Sequence, residues 1–117
     1  MNKIFELVKK EEERQKETLS LIPSENYVSD KVKDAEASIF MNKYAEGYPG
    51  RRYYQGNKIV DEVESLAMER ARNLFGVPHA NVQSYSGSPA NTAVLFALLN
   101  RGEKVCGLKL SAGGHLT

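Results

Sequence analysis

The sequence predicts an α/β fold, with an N-terminal helical arm leading into the first strands of a parallel-rich sheet. Three observations carry that prediction. Residues 57–75 set Val60, Val63, Ala67, Ala71, Leu74 and Phe75 on one helical face, a clean 3.6-residue period. Residues 80–85 and 105–110 read as short strands. Between them, residues 88–99 read as a helix whose 93–99 portion is apolar on every side and belongs between layers. Strand, buried helix and strand within about thirty residues is the pattern of a parallel sheet.

From the N-terminus, residues 3–18 form a surface helix with a weak apolar stripe of Ile4, Leu7 and Val8. Glu6 with Lys10 and Glu12 with Lys16 stand in the favourable i,i+4 order. Residues 9–17 carry four positive and four negative charges, which reads as a solvated face rather than a binding surface. Residues 30–40 form a shorter helix, with Val32, Ala35, Ile39 and Phe40 roughly on one side. Residues 41–57 then break every period. Four of the six tyrosines fall there, with three glycines, Pro49 and the adjacent Arg51 and Arg52. Such a run is a long structured loop, functional or at an interface. Asn57 caps the next helix, and Gly76 in the left-handed conformation followed by Pro78 ends it. Ser88 ahead of Pro89 caps the last helix, which closes at Asn100-Arg101-Gly102.

Composition bounds the function. The 117 residues are 41% apolar and 26% charged, ordinary for a globular chain and unlike collagen-like, low-complexity or disordered sequence. Sixteen basic residues against fifteen acidic ones leave +1, no field to attract nucleic acid or an anionic membrane. The longest apolar run, 93–99, is seven residues, against about twenty for a membrane span. The charged N-terminus lacks the apolar stretch of a secretory leader. A single cysteine, Cys106, suits a reducing cytoplasm, and His79 and His115 stand too far apart to suggest a metal site.

Three segments carry chemistry. Ser86-Gly87-Ser88-Pro89 lies where a strand hands over to a helix N-terminus, so unpaired amides, two hydroxyls and the helix dipole could hold a phosphate; a plain serine cap is the alternative. Ser111-Ala112-Gly113-Gly114-His115 follows a strand, where ligands of open α/β sheets bind, and His115 could cover a ring or move a proton. In the tyrosine-rich loop, Glu46 between Tyr44 and Tyr48 could be an acid/base group. Arg51, Arg52, Tyr53 and Tyr54 could hold an anionic or aromatic ligand.

These residues resemble serine hydroxymethyltransferase, a pyridoxal-phosphate enzyme family. The resemblance rests on Leu21-Ile22-Pro23-Ser24-Glu25-Asn26, Asn42-Lys43-Tyr44-Ala45-Glu46-Gly47-Tyr48-Pro49-Gly50, Arg52-Tyr53-Tyr54-Gln55-Gly56, Ala80-Asn81-Val82-Gln83, Ser86-Gly87-Ser88-Pro89-Ala90-Asn91 and Gly113-Gly114-His115-Leu116-Thr117. Pro23 stands where the family is expected to carry alanine, and it stiffens the approach to Ser24.

The resemblance implies a fold-type-I large domain like that of aspartate aminotransferase. Residues 1–57 would be the arm and the tyrosine-rich active-site or interface loop, and residues 58–117 the first part of the cofactor-binding domain. It implies interconversion of serine and glycine with tetrahydrofolate as co-substrate, in a cytoplasmic homodimer or larger assembly. Ser86, Gly87 and Ser88 match the cup for the cofactor phosphate, and His115 the histidine stacked on its ring. Glu46 matches the carboxyl group that handles protons in one-carbon transfer. Tyr44 matches a tyrosine near cofactor and substrate that the family lends to the neighbouring subunit. Ser24 matches a contact to the amino-acid carboxylate, and Tyr53, Tyr54, Leu110, Gly114 and Leu116 match positions around the folate.

The chain would cover roughly the first quarter of such an enzyme. The family's cofactor lysine, the aspartate paired with the pyridine nitrogen and the substrate-gripping arginine come later, and Lys104 and Lys109 do not match that lysine. The 117 residues alone are therefore expected to be inactive. Two alternatives stay open: another pyridoxal-phosphate enzyme of the same fold, and a non-catalytic truncated paralogue that binds a partner chain.

Overall fold

The computed structural model describes residues 2–116. Thr117, the last residue of the resembling runs, lies outside them. The chain divides into two units, one ending at Lys43 and the other beginning at Tyr44.

In the first unit, α1 (Lys3–Glu17) starts at Asn2, whose Oδ1 accepts the Ile4 amide at 3.3 Å. The ion pair that closes on it is Glu11–Arg14, one turn apart, rather than either expected i,i+4 pair. After α1, the Glu25 amide donates to the Ile22 carbonyl at 3.1 Å, closing a turn over 22–25. Pro23 occupies the second position of that turn, where its fixed φ is favourable. The expected helix over 30–40 is two pieces: α2 (Asp30–Glu36) and a 3₁₀ turn, Ile39–Asn42. Ser38 interrupts them with extended backbone at φ −82°, ψ 175°, a conformation serine adopts more readily than a strong helix former.

The second unit opens with an antiparallel hairpin, β1 (Gly47–Tyr48) paired with β2 (Arg51–Arg52) in the register Gly47↔Arg52 and Tyr48↔Arg51. Pro49 and Gly50 make the turn, and Gly50 takes the positive φ of 73° that a type II turn requires of its third residue. Helix α3 (Lys58–Phe75) follows. Its C-terminus is as the sequence predicts: Gly76 sits at φ 62°, ψ 34°, and the Gly76 and Val77 amides turn back to the Arg72 carbonyl. Its N-terminus differs. Asn57 holds the cap position without capping, and its Nδ2 donates instead to the Tyr54 carbonyl at 2.9 Å.

Helix α4 (Gly87–Leu98) begins earlier than the Ser88-Pro89 pair predicts, with Ser86 in the cap position and Ser88 and Pro89 inside the first turn. A 3₁₀ turn, Leu110–Ala112, completes the unit.

The expected parallel sheet is corrected. Among the described residues the hairpin is the sheet, and 80–85 and 105–110 pair with nothing. A strand exists only where a neighbour takes its amides and carbonyls. Nor is α4 buried: Phe96 is 83% and Leu98 75% exposed, and no described hydrophobic residue is buried. The apolar pattern of 93–99 is a demand for cover that the described residues do not meet.

Candidate functional site

The tyrosine loop is ordered by one buried cation. The Arg52 side chain is only 4% exposed although it sits beside a hairpin turn. Its Nε donates to Asp61 Oδ1 at 2.8 Å and its Nη2 to Glu64 Oε2 at 2.5 Å. Nη1 donates to two backbone carbonyls, Ala45 at 2.6 Å and Gly47 at 3.0 Å. Asp61 and Glu64 lie three residues apart, hence on one face of α3. The Gly50 amide donates to Asp61 Oδ2 at 3.0 Å. That amide first, and Arg52 second, hold the Asp61 carboxyl below its usual range. Bonds to Asp61 and then Glu64 raise the Arg52 guanidinium still higher. Arg52 is therefore not the ligand-holding arm the sequence suggested, since four of its five donors are committed within the chain. Arg51, the neighbour with which it was grouped, is exposed.

Around this clamp stand the candidate residues of the loop. Glu46 is exposed and lines a cavity of about 440 Å³ with Ala45, Gly47, Glu64, Val82 and Gln83. Its carbonyl accepts the Tyr53 amide at 3.1 Å, continuing the hairpin ladder by one rung. Tyr44 and Tyr54 meet edge to face, ring centroids 5.9 Å apart at 70°. Tyr53 is 82% exposed. The loop thus brings Tyr44, Glu46, Tyr53 and Tyr54 into one segment. Gln83 ties in the residues ahead of α4: its Nε2 donates to the Gly47 carbonyl at 2.8 Å and to Glu64 Oε1 at 2.7 Å.

Ser86 leads directly into a twelve-residue helix whose first two residues are Gly87 and Ser88. Ser86 makes no side-chain cap bond, and Pro89 has no amide to donate. The amides of Gly87 and Ser88 and the hydroxyls of Ser86 and Ser88 are left as donors at the positive end of the helix dipole. That donor set fits a phosphate.

The third segment is a tight turn. The Gly114 amide donates to the Lys109 carbonyl at 3.0 Å, and a side chain at Gly114 would stand 2.0 Å from the Leu108 carbonyl oxygen. Only glycine fits there. Leu110, His115 and Leu116 are exposed around it. Ser24 belongs to the first unit, where it is exposed in the turn over 22–25. No His, Cys, Asp or Glu cluster able to hold a metal occurs among the described residues, and no described helix is long and apolar enough to cross a membrane.

Sequence reading missed the clamp. Its signal was present, two carboxylates at 61 and 64 on one helical face after an arginine-bearing loop, but nothing local says which of two adjacent arginines turns inward.

The second unit thus combines a helix terminus with uncommitted donors and a carboxylate-bearing hairpin locked to a helix. Comparison with known proteins gives the family. The serine hydroxymethyltransferase family profile matches residues 1–117. The chain is 57% identical over 114 residues to serine hydroxymethyltransferase of Acidothermus cellulolyticus, covering 97% of this chain and 27% of that protein. It is 58% identical over 115 residues to serine hydroxymethyltransferase 2 of Mesorhizobium japonicum, and 57% over 114 residues to serine hydroxymethyltransferase 1 of Pseudomonas fluorescens. These matches cover 98% and 97% of this chain, and 26% and 28% of those proteins. The chain belongs to the serine hydroxymethyltransferase family, and spans about a quarter of the length of these relatives.

Proposed function

We propose that this chain is the N-terminal part of an enzyme that interconverts serine and glycine, carrying the one-carbon unit on tetrahydrofolate and holding pyridoxal phosphate. The observation that supports this most is the family match over the whole chain, which contains every candidate site residue. Residues 1–57 are the arm and active-site loop, and residues 58–117 open a cofactor-binding large domain of the fold-type-I kind. Ser86, Gly87 and Ser88 hold the cofactor phosphate, a role supported by the uncommitted donors at the start of α4. His115 covers the cofactor ring. Once bound, pyridoxal phosphate supplies the electron sink for chemistry at the amino-acid Cα.

The chain's own residues do the rest. Ser24 donates to the substrate carboxylate. Glu46, exposed at the edge of its cavity, moves the proton at the substrate hydroxymethyl oxygen. Tyr53 and Tyr54, with Leu110, Gly114 and Leu116, present aromatic and apolar surface to the flat folate ring. Tyr44, 71% exposed, reaches the site of a neighbouring subunit in a homodimer. The single cysteine suits a cytoplasmic enzyme. None of the chain's lysines carries the cofactor, so the chain is inactive by itself.

The test joins residues 1–117 to the remainder of the Acidothermus cellulolyticus relative and compares the product with the 117 residues alone. The joined protein is expected to bind pyridoxal phosphate and cleave serine in a folate-dependent way, and the chain alone to do neither. A joined protein that folds and binds the cofactor yet leaves serine intact would contradict the proposal, as would turnover by the chain alone.

A further inference from the structure

We propose that Arg52 is a positioning residue for Glu46, fixing the backbone on both sides of that residue and so setting where its carboxyl group stands. The inference rests on the reading of Glu46 as the proton-handling group. A single Nη1 holds the Ala45 and Gly47 carbonyls, at 2.6 and 3.0 Å, which bracket Glu46. The Glu46 carbonyl between them accepts the Tyr53 amide at 3.1 Å. Three consecutive carbonyls are thereby fixed, and the peptide planes on either side of Glu46 cannot rotate without breaking a bond.

The opposite edge of the guanidinium is anchored to α3 through Asp61 and Glu64. Those carboxylates already satisfy the charge, so the two carbonyl bonds are not needed to neutralise a buried cation. What they add is geometry: they tie the loop to a rigid helix. Gln83 supplies a second strut, from Glu64 Oε1 to the same Gly47 carbonyl. The clamp thereby spans from the Glu46 loop to a residue three positions ahead of Ser86. Lysine cannot replace this arginine, because an ammonium lacks the planar fork that reaches two carboxylates and two carbonyls at once.

The test uses the joined protein with Arg52→Lys, which keeps the charge and removes the fork. Folate-dependent kcat is expected to fall roughly ten- to a hundredfold, the size of loss that misplacing a reacting group by about 1 Å causes. The affinity for pyridoxal phosphate should move by less than about threefold, since Glu46 does not hold it, and KM for serine should change less than kcat, because Ser24 holds the substrate carboxylate apart from this loop. Amide hydrogen exchange at Tyr53 and Gly50 should quicken about tenfold or more as the loop loosens. Gln83→Leu removes the second strut alone and should shift the same readouts in the same direction by less, which keeps the test decisive if Arg52→Lys does not fold.

Unchanged kcat with faster exchange would overturn the proposal, because the loop would be loosened without consequence for the chemistry. Equal loss of turnover and cofactor affinity would overturn it too, by making Arg52 a general structural residue. Glu46→Gln without effect on turnover would instead remove the underlying reading of Glu46, and exchange at Tyr53 would still report whether Arg52 holds the loop.

Discussion

At Gly47 the backbone takes φ 102°, and a Cβ there would meet the Arg51 carbonyl oxygen at 2.3 Å. Both the dihedral and the contact exclude a side chain. Gly47→Ala is expected to open the hairpin and release Glu46, read as loss of amide protection at Tyr53; full protection in the variant would contradict the geometry. Ser88 is a different case. It lies inside the first turn of α4 rather than at its cap, so Ser88→Ala should leave the helix intact and remove only a donor to the phosphate. A hydrogen bond to a charged group contributes about 1.5–3 kcal/mol, so pyridoxal-phosphate affinity in the joined protein should fall roughly ten- to a hundredfold. Equal affinity in variant and parent would show that the hydroxyl does not touch the phosphate. The serines were legible in sequence as donors ahead of a helix. Their cap position was not, because Ser86 and Ser88 are both good caps and only the backbone decides between them.

Among the elements, α1 carries a charge pair with a clear titration. Bonds from Arg14 first, and Gln15 second, lower the Glu11 carboxyl from 4.5 to about 2. A depressed carboxylate stabilises the folded form above its unfolded pKa, and that contribution disappears as pH falls from 4.5 through about 2. The pair is exposed, so its effect is small and screened by salt. The difference in α1 helicity between parent and Arg14→Gln, followed by circular dichroism, should therefore shrink across that window; a difference constant down to pH 2 would contradict the pairing. Helices were the most legible part of the sequence. The period of α3 and its Gly76 terminus came through because both depend on nearest neighbours along the chain. The strands did not, because pairing is decided by chain neighbours far away. The hairpin was hidden for the opposite reason, being only two residues per strand, too short to show an alternating period.

Across the whole molecule, the described residues bury Asn57 to 5% exposure and the Arg52 side chain to 4%, but no hydrophobic residue joins them. Burial of apolar surface is the main favourable term in folding, so the isolated chain should lack cooperative stability. Calorimetry of the 117 residues at micromolar concentration is expected to show a broad, featureless transition; a sharp cooperative melt would contradict this. Composition could not reveal that lack, since 41% apolar content is ordinary and only the fold says where those residues go. The candidate site divides along the same line, its residue types readable in the motifs and its clamp visible only once Arg52 is seen turned onto α3. The measurement that bears most directly on the proposed chemistry is made on Glu46→Gln in the joined protein. That change keeps size and hydrogen bonding but removes the acid/base function. Folate-dependent serine cleavage and cofactor absorbance are recorded on one preparation. Turnover is expected to fall by roughly two to four orders of magnitude while cofactor absorbance stays as in the parent. Unchanged turnover, or loss of turnover and cofactor together, would contradict the role of Glu46 in moving the proton.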